Sequence, residues 1–371
     1  MSFLLHKQAG LCLCICTYRR ADLLRLLIQD LGNQSMRPET LVVVDGDPGN
    51  RSVPLVIEDI SWLRDIRAIY VPANHANLSY QRYLGWKAAK NLNSEILLYL
   101  DDDLRLMRCD AVEMVVCPLE NDQELIVGCT AEIREAPAKL DSESQMLGDR
   151  QQAAHRAKPF IVSLLGAGKG LPPGSLSPAG SRIASARTAN PYSKVDWLHG
   201  RVMSYRMDAL RADCFSHDLF ALDEVKSCLG EDTVLSHRVR SRGAMLYLWG
   251  DHFFHPSTAL PNAYPTAALK LGFTTAFSRR FVNDNYRWPV APKLADRLAL
   301  WKSYAGNVLL NAFRALRSPR SHRFAFAWGY FLGAIKGVCQ PPSYQRLTPH
   351  IDWQKDAAAA LSQRVNLTQK S

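Results

Sequence analysis

Residues 11–45 read LCLCICTYRRADLLRLLIQDLGNQSMRPETLVVVD. Leu11 to Cys16 is a short apolar run that closes on the polar Thr17-Tyr18-Arg19, and Leu41 to Val44 is a second that closes on Asp45. Between them Leu23, Leu24, Leu27, Ile28 and Leu31 recur at the spacing of one helix face. Strand, helix and strand over about 35 residues is the length of a βαβ unit. Cys12, Cys14 and Cys16 alternate along the first run, which puts them on one face of a strand. There a thiol behaves as a small buried apolar group.

Outward from this unit, a third strand is expected at Ile66–Val71 and a helix at Ser79–Lys90. A fourth strand, Ile96–Leu100, ends in Asp101-Asp102-Asp103. Alternation of this kind predicts an α/β fold with a mostly parallel, Rossmann-like sheet flanked by helices. Ligands of such sheets bind beyond the carboxyl ends of the strands. Thr17, Tyr18, Arg19, Asp45 and Asp101 to Asp103 should therefore gather at one edge. Residues 134–194 change character: Glu135–Arg156 is charged, and Gly166–Ser185 is dense in Gly, Pro and Ser. They read as an irregular excursion. Regular structure should resume near Val195, with a helix at Asp232–Arg242 and a strand at Ala244–Trp249.

The 371 residues are 47% apolar and 22% charged, which excludes a disordered, collagen-like or coiled-coil chain. The length suits two domains, or one large domain with an appendage: 1–262 as the catalytic domain and 263–371 as a helical region. Forty-five Lys and Arg against 35 Asp and Glu leave a net charge of +10, which favours anionic partners. The nine cysteines fit no disulfide framework and no zinc spacing, so reduced thiols and a cytoplasmic location are expected. The N-terminus lacks the pattern of an export signal. No apolar run reaches the roughly 18–20 residues of a spanning helix.

From Arg297 to Ile351 there is no Asp or Glu, against eight Lys or Arg, interleaved with Leu298, Trp301, Leu309, Phe313, Phe324, Trp328 and Phe331. Such a basic amphipathic stretch suits an anionic membrane surface, contacted through residues 297–346 by a peripheral protein. The alternative is a helix pair packed on the catalytic domain with a solvated basic face. Nucleic acid is a poor fit, because the basic density lies with aromatic, helix-forming residues.

Three successive carboxylates repel one another, and at the end of a buried strand a divalent cation on a phosphate is the economical way to neutralise them. Gly230-Glu231-Asp232-Thr233 precedes an amphipathic helix; acidic residues there also serve as ordinary capping groups. The order of these parts carries a resemblance. Cys16-Thr17-Tyr18-Arg19-Arg20, Gln34 after the first helix, Val42-Val43-Val44-Asp45, Asn77 to Gly85, Leu100-Asp101-Asp102-Asp103, Gly230-Glu231-Asp232 and His255 follow one another here as in the family 2 glycosyltransferases of the GT-A fold. The chain resembles that family over about residues 10–256. Asp45-Gly46-Asp47-Pro48 and Arg82-Tyr83 depart from its usual Asp-Gly-Ser and Arg-Asn.

The resemblance implies an inverting, metal-dependent enzyme that uses a nucleotide-sugar donor, most simply a UDP-sugar, in cell-surface polysaccharide or glycolipid synthesis. Thr17, Tyr18 and Arg19 would line the nucleotide pocket, Asp45 would accept from the base, and Arg82 would lie near the base or phosphates. Asp101 and Asp102 would meet the ribose or nucleotide. Asp103, with Asp101 and His255, would hold Mn²⁺ or Mg²⁺; His252 is the alternative histidine. Asp232 would be the base, with Glu231 orienting the acceptor, a glycan or lipid-linked molecule. Trp197, His199 and Gly200 would touch donor or acceptor sugar. Two rival readings are a sugar nucleotidyltransferase, which would want a Gly-rich first loop, and a non-catalytic nucleotide-sugar-binding protein.

Overall fold

The periodicity of residues 11–45 is realised in the computed structural model, which describes residues 6–120, 124–135, 171–224, 230–256, 265–317, 319–339 and 351–367. In chain order the first half contains β1 (His6–Thr17), α1 (Ala21–Gly32), β2 (Met36–Asp45), α2 (Ser52–Asp59), β3 (Arg67–Pro72), α3 (Leu78–Asn91), β4 (Ile96–Asp101), β5 (Arg105–Leu106), α4 (Ala111–Val116) and β6 (Ile126–Glu135). The second half contains β7 (Tyr192–Val195), β8 (Val202–Arg206), α5 (His217–Glu224), α6 (Glu231–Arg240) and β9 (Ala244–His255). Then follow α7 (Pro265–Asn285), α8 (Leu294–Arg317), α9 (Ser321–Cys339), α10 (Trp353–Ser362) and β10 (Val365–Asn366).

The sheet runs β10-β3-β2-β1-β4-β8-β6-β9-β5, with β7 paired to β9. β3, β2, β1 and β4 are mutually parallel, as the βαβ pattern requires. Beyond β4 the sheet is mixed rather than mostly parallel: β8 lies antiparallel to both β4 and β6, while β6 and β9 are parallel. A parallel neighbour needs a full crossover, and β8 instead enters from the carboxyl end of β4, where Asp101 N–H donates to Arg201 O. The chain steps from β1 outward to β3 and then returns to β4 on the other side of β1. That reversal makes the crevice between the carboxyl ends of β1 and β4 the expected ligand position. Register puts Cys16 beside Asp101 and Thr17 beside Asp45.

Each face of the sheet has its own core. Leu11, Leu13 and Ile15 face α1, α2 and α4, while Cys12, Cys14 and Cys16 face α3, as their alternation predicts. A β-carbon at Gly85 would lie 2.2 Å from Cys14 Sγ, so α3 rests directly on the thiols. Burial pushes the Cys12 thiol up to about 12, which keeps it protonated. All described cysteines are unpaired.

Residues on both sides of the boundary expected at 262/263 contribute to one apolar cluster. Phe277, Phe281 and Val282 of α7 and Trp353, Ala357 and Leu361 of α10 belong to the same apolar cluster as α3. β10 adds an antiparallel edge to β3, and Leu367 N–H donates to Ala68 O. Trp353 is packed against His75, Tyr80 and Phe220 with ring centroids 4.9, 5.2 and 5.3 Å away. Tyr83, next to Arg82 in α3, donates its hydroxyl to Gln354 Oε1 at 2.7 Å. Among the described residues, Ala276, Leu300, Tyr304, Tyr330 and Ala334 form a separate small cluster. Truncating Trp353 to Ala should therefore cost about 3–5 kcal/mol of the whole fold's stability. Urea denaturation followed by far-UV circular dichroism would show one transition moved to lower denaturant; a separate early transition, with the main one unmoved, would contradict the shared core.

Candidate active site

The ends of β1 and β4 meet as the topology requires. Thr17, buried at the last position of β1, donates its hydroxyl to Asp102 Oδ2 at 2.7 Å. The Arg20 guanidinium, at the start of α1, reaches across to Asp102 Oδ1 at 3.3 Å and Asp103 Oδ2 at 2.8 Å. His255 closes β9 and brings Nε2 to 3.3 Å from the same Asp103 oxygen. His252 lies elsewhere: its backbone oxygen accepts from Met107 N–H on the strand's other pairing edge. Among the described residues no group of three or more His, Cys, Asp or Glu side chains converges as a ready-made metal cage. What converges is a pair, Asp103 and His255. A hard divalent cation commonly takes one or two protein ligands and completes its shell with phosphate oxygens and water. The donor set fits that role.

A buried guanidinium organises the other half. Arg82 in α3 is 2% exposed. It donates to Glu231 Oε1 at 2.9 Å and Gly200 O at 2.8 Å, and lies 3.4 Å from Asp101 Oδ1. It is thus a hub between α3, β4, the 196–201 loop and α6, not the surface ion pair that an isolated arginine would suggest. Asp232 Oδ2 accepts from Gly200 N–H at 2.8 Å, while Oδ1 accepts from Thr233 N–H and, at 2.6 Å, from Arg182. A β-carbon at Gly200 would lie 3.0 Å from Asp232 Oδ2 and 3.2 Å from Arg82 Nη2, so this position has room only for glycine without a shift.

Arg182 carried no signal in sequence, where it lay in the unmatched Gly/Pro/Ser stretch; residues 136–170 of that excursion lie outside the described residues. The arginine comes from a tight turn in which Ser177 N–H donates to Ser181 O and Ile183 N–H to Ser175 O. Its guanidinium stacks 5.2 Å over the Trp197 ring and also donates to Thr233 Oγ1. Trp197 is 8% exposed, and its buried Nε1 has no partner among the described residues. Gln81 was also missed: its amide ties Thr17 O and Val44 O together at 2.9 and 3.2 Å.

The remaining residues of the nucleotide side are divided. Tyr18 is 41% exposed, and Arg19, at φ 58°, stacks on it and pairs with Asp47 at 2.7 Å. Asp45 lies at the last position of β2. It is 1% exposed, with one oxygen accepting from Tyr70 OH at 3.0 Å and the other from Asp47 N–H at 2.9 Å. It shapes the Gly46-Asp47 turn, and the half-buried Asp47 carboxylate is the one that meets Arg19. Gln34 is likewise a brace, donating to Arg108 O and accepting from Val112 N–H.

The carboxylates differ sharply in proton affinity. Burial pushes Asp101 up; Arg82 opposes, but Asp103, Asp102 and Glu231 add to burial, and Asp101 rises to about 7. Burial and the neighbouring Asp232 likewise raise Glu231. Burial acts the same way on Asp232, but Arg182, Arg82 and His199 outweigh it and hold Asp232 down to about 2. Burial lowers His199 to about 4. The folded protein thus binds more protons than the unfolded chain at Asp101 between about pH 4 and 7, so this group's contribution to stability falls as pH rises through that window. In metal-free buffer Asp101→Asn should raise the melting temperature at pH 8 and change it little at pH 4. Equal shifts at both pH values would remove the ionisation of buried Asp101 as the cause.

Residues 12–164 match the family model described as "Glycosyl transferase family 2". No curated protein matches the sequence. Among solved structures the chain is similar to the mannosyltransferase PcManGT from Pyrobaculum calidifontis in complex with GDP-Man and Mn²⁺, at 13% identity, with 89% of this chain and 87% of that chain covered and a TM-score of 0.47. It is also similar to S. aureus TarS 1–349, at 12% identity, 88% and 90% coverage and a TM-score of 0.43. At these scores neither likeness supports an inference about the site. The matched segment contains Thr17, Asp45, Arg82 and the three aspartates, while Glu231, Asp232 and His255 lie beyond it. The likeness to the family 2 glycosyl transferases is thus carried by residues 12–164, from β1 past β6.

Proposed function

We propose that the protein is an inverting glycosyltransferase that moves a sugar from a UDP-sugar to an acceptor hydroxyl, on a glycan or lipid-linked molecule at the cytoplasmic face of a membrane, in cell-surface polysaccharide or glycolipid synthesis. One observation carries it: the acidic end of β4, beside Arg20 and His255, is joined through buried Arg82 to the Glu231-Asp232 pair. Leaving-group and acceptor machinery are thereby held in one crevice. The uridine assignment rests on the match between an imide N–H and a carboxylate acceptor. Asp45, at the end of β2, is the carboxylate assigned to the base, and the Tyr18 ring lies against the Gly46 turn that follows it.

A Mn²⁺ or Mg²⁺ ion held by Asp103 and His255, at the strand end that also carries Asp101, would supply positive charge to the diphosphate as it leaves. Arg20 supplies a fixed cation at the same place and stabilises growing negative charge without reorganising. Thr17 orients Asp102. On the acceptor side Asp232 takes the hydroxyl proton. Arg182 and Gly200 N–H fix the carboxylate's orientation, and Asp232 exchanges its Arg182 contact for the acceptor hydroxyl. Glu231 is the second reading, favoured by its raised proton affinity and its freer position at 25% side-chain exposure. Trp197, His199 and Gly200 border Asp232 and are assigned to the sugar pocket.

A thermal-shift panel of nucleoside diphosphates with and without Mn²⁺ tests the donor half. UDP with Mn²⁺ should raise the melting temperature, and Asp103→Ala should abolish the metal-dependent part; a shift with GDP alone would overturn the uridine assignment. For the acceptor half, Asp232→Asn should keep the UDP shift and lower hydrolysis or transfer from UDP-sugars by roughly 10²–10⁴-fold, the usual share of a positioned base. If Glu231→Gln shows that loss and Asp232→Asn does not, the proton belongs to Glu231. Normal turnover in both variants would refute the site.

A further inference from the structure

We infer that the outer face of α8 and α9 is a docking surface for an anionic lipid bilayer, met in the plane of the interface. The inference uses no assignment made in the catalytic crevice. It gives physical content to the proposed membrane location by naming the face and the lipid charge it recognises.

Along α8, Leu298, Trp301, Leu309, Phe313 and Leu316 are 42, 40, 65, 58 and 72% exposed. Their spacing puts them on one helical stripe, with Leu300, Tyr304 and Ala315 buried on the opposite side. Along α9, Phe324, Trp328, Leu332, Ile335 and Val338 form a second stripe, 37–55% exposed. The inward face of α9 is occupied by Gly329, Gly333 and Gly337. A β-carbon at Gly329 would lie 2.0 Å from Leu269 O and one at Gly333 2.4 Å from Phe273 O, so α9 presses backbone to backbone on α7. The sequence has therefore put its small residues inward and its largest apolar residues outward, the reverse of an ordinary surface helix.

Charge identifies the occupant. Arg314, Arg317 and Arg320 are exposed around the α8–α9 connection, and Arg323 follows on α9. No acidic residue occurs between Arg297 and Ile351. Pairing this face with a second copy would bring the basic residues of the two copies together, because residues 297–351 carry no Asp or Glu. Anionic headgroups offset them directly, while the stripes bury in the acyl boundary and the Trp301 and Trp328 rings sit at headgroup level. No described helix is long and apolar enough to cross a membrane, so the contact is peripheral. The face is also tied to the crevice. Arg279 and Asn283 of α7 donate to Ser181 Oγ and Pro178 O, in the turn whose Arg182 reaches Asp232.

Flotation of the full chain with vesicles tests this. Vesicles of phosphatidylcholine mixed with phosphatidylglycerol should carry the protein up, those of phosphatidylcholine alone should not, and added salt should weaken the binding. The combined variant Leu309→Ser, Phe313→Ser, Trp328→Ser alters only exposed side chains. It should lose more than roughly tenfold in vesicle affinity while keeping its melting temperature. Arg314→Gln with Arg317→Gln should lose the preference for anionic lipid. Absence of wild-type flotation, equal binding to neutral vesicles, or wild-type binding by the triple variant would each overturn the inference. So would a wild-type dimer in light scattering that the triple variant turns into a monomer, since the face would then belong to a second copy. The UDP thermal shift reads the catalytic proposal separately in the same samples.

Discussion

The structure of the crevice depends on one buried guanidinium. Arg82 enters a site from which water is excluded, so its charge must be matched by Asp101 and Glu231 and its remaining donor by the Gly200 carbonyl. Those partners come from β4, α6 and the 196–201 loop. Satisfying one charge therefore fixes three segments that are distant in sequence. Tyr99 OH, donating to Arg82 O at 2.6 Å, anchors the backbone that carries it. The Gly200 carbonyl faces Arg82 and its N–H faces Asp232, so the same peptide segment passes the constraint on to the second carboxylate.

Around this hub the protein keeps more acid than it neutralises. Asp101, Asp102 and Glu231 are all raised in proton affinity, burial being the largest cause in each case. Such an arrangement costs stability in the ligand-free state and is useful where a cation or a protonated group is to be received. Asp232 is the exception, because Arg182 arrives from an irregular turn to hold it ionised. Two adjacent carboxylates thereby acquire opposite properties from their surroundings alone.

The C-terminal residues divide by what they bury. α10 and β10 return to the main sheet, where Trp353 packs on Tyr80 and Gln354 accepts from Tyr83 OH. α7 is shared, giving Phe277 and Phe281 to the main core and its Leu269–Phe273 flank to the glycine-lined face of α9. α8 and α9 keep their largest apolar side chains outside. Composition alone left open whether this stretch was a membrane face or a packed helix pair with a solvated basic side. The burial pattern shows packing on one side and apolar exposure on the other.

The sequence by itself determined the βαβ order, the strand ends that meet in the crevice and the cysteine-bearing face of β1. Each of these follows from local periodicity, which acts within one element or between neighbours in the chain. It also placed Asp103 and His255 in one candidate set, and the fold brings them to 3.3 Å. Tertiary structure alone decided that Arg82 is buried, that Asp45 turns inward to Tyr70, that Arg182 clamps Asp232, and that β8 runs antiparallel. Those outcomes depend on desolvation and on hydrogen-bond partners 19 to 149 positions away. Neither quantity exists until distant segments have packed together, so no spacing rule along the chain could carry them.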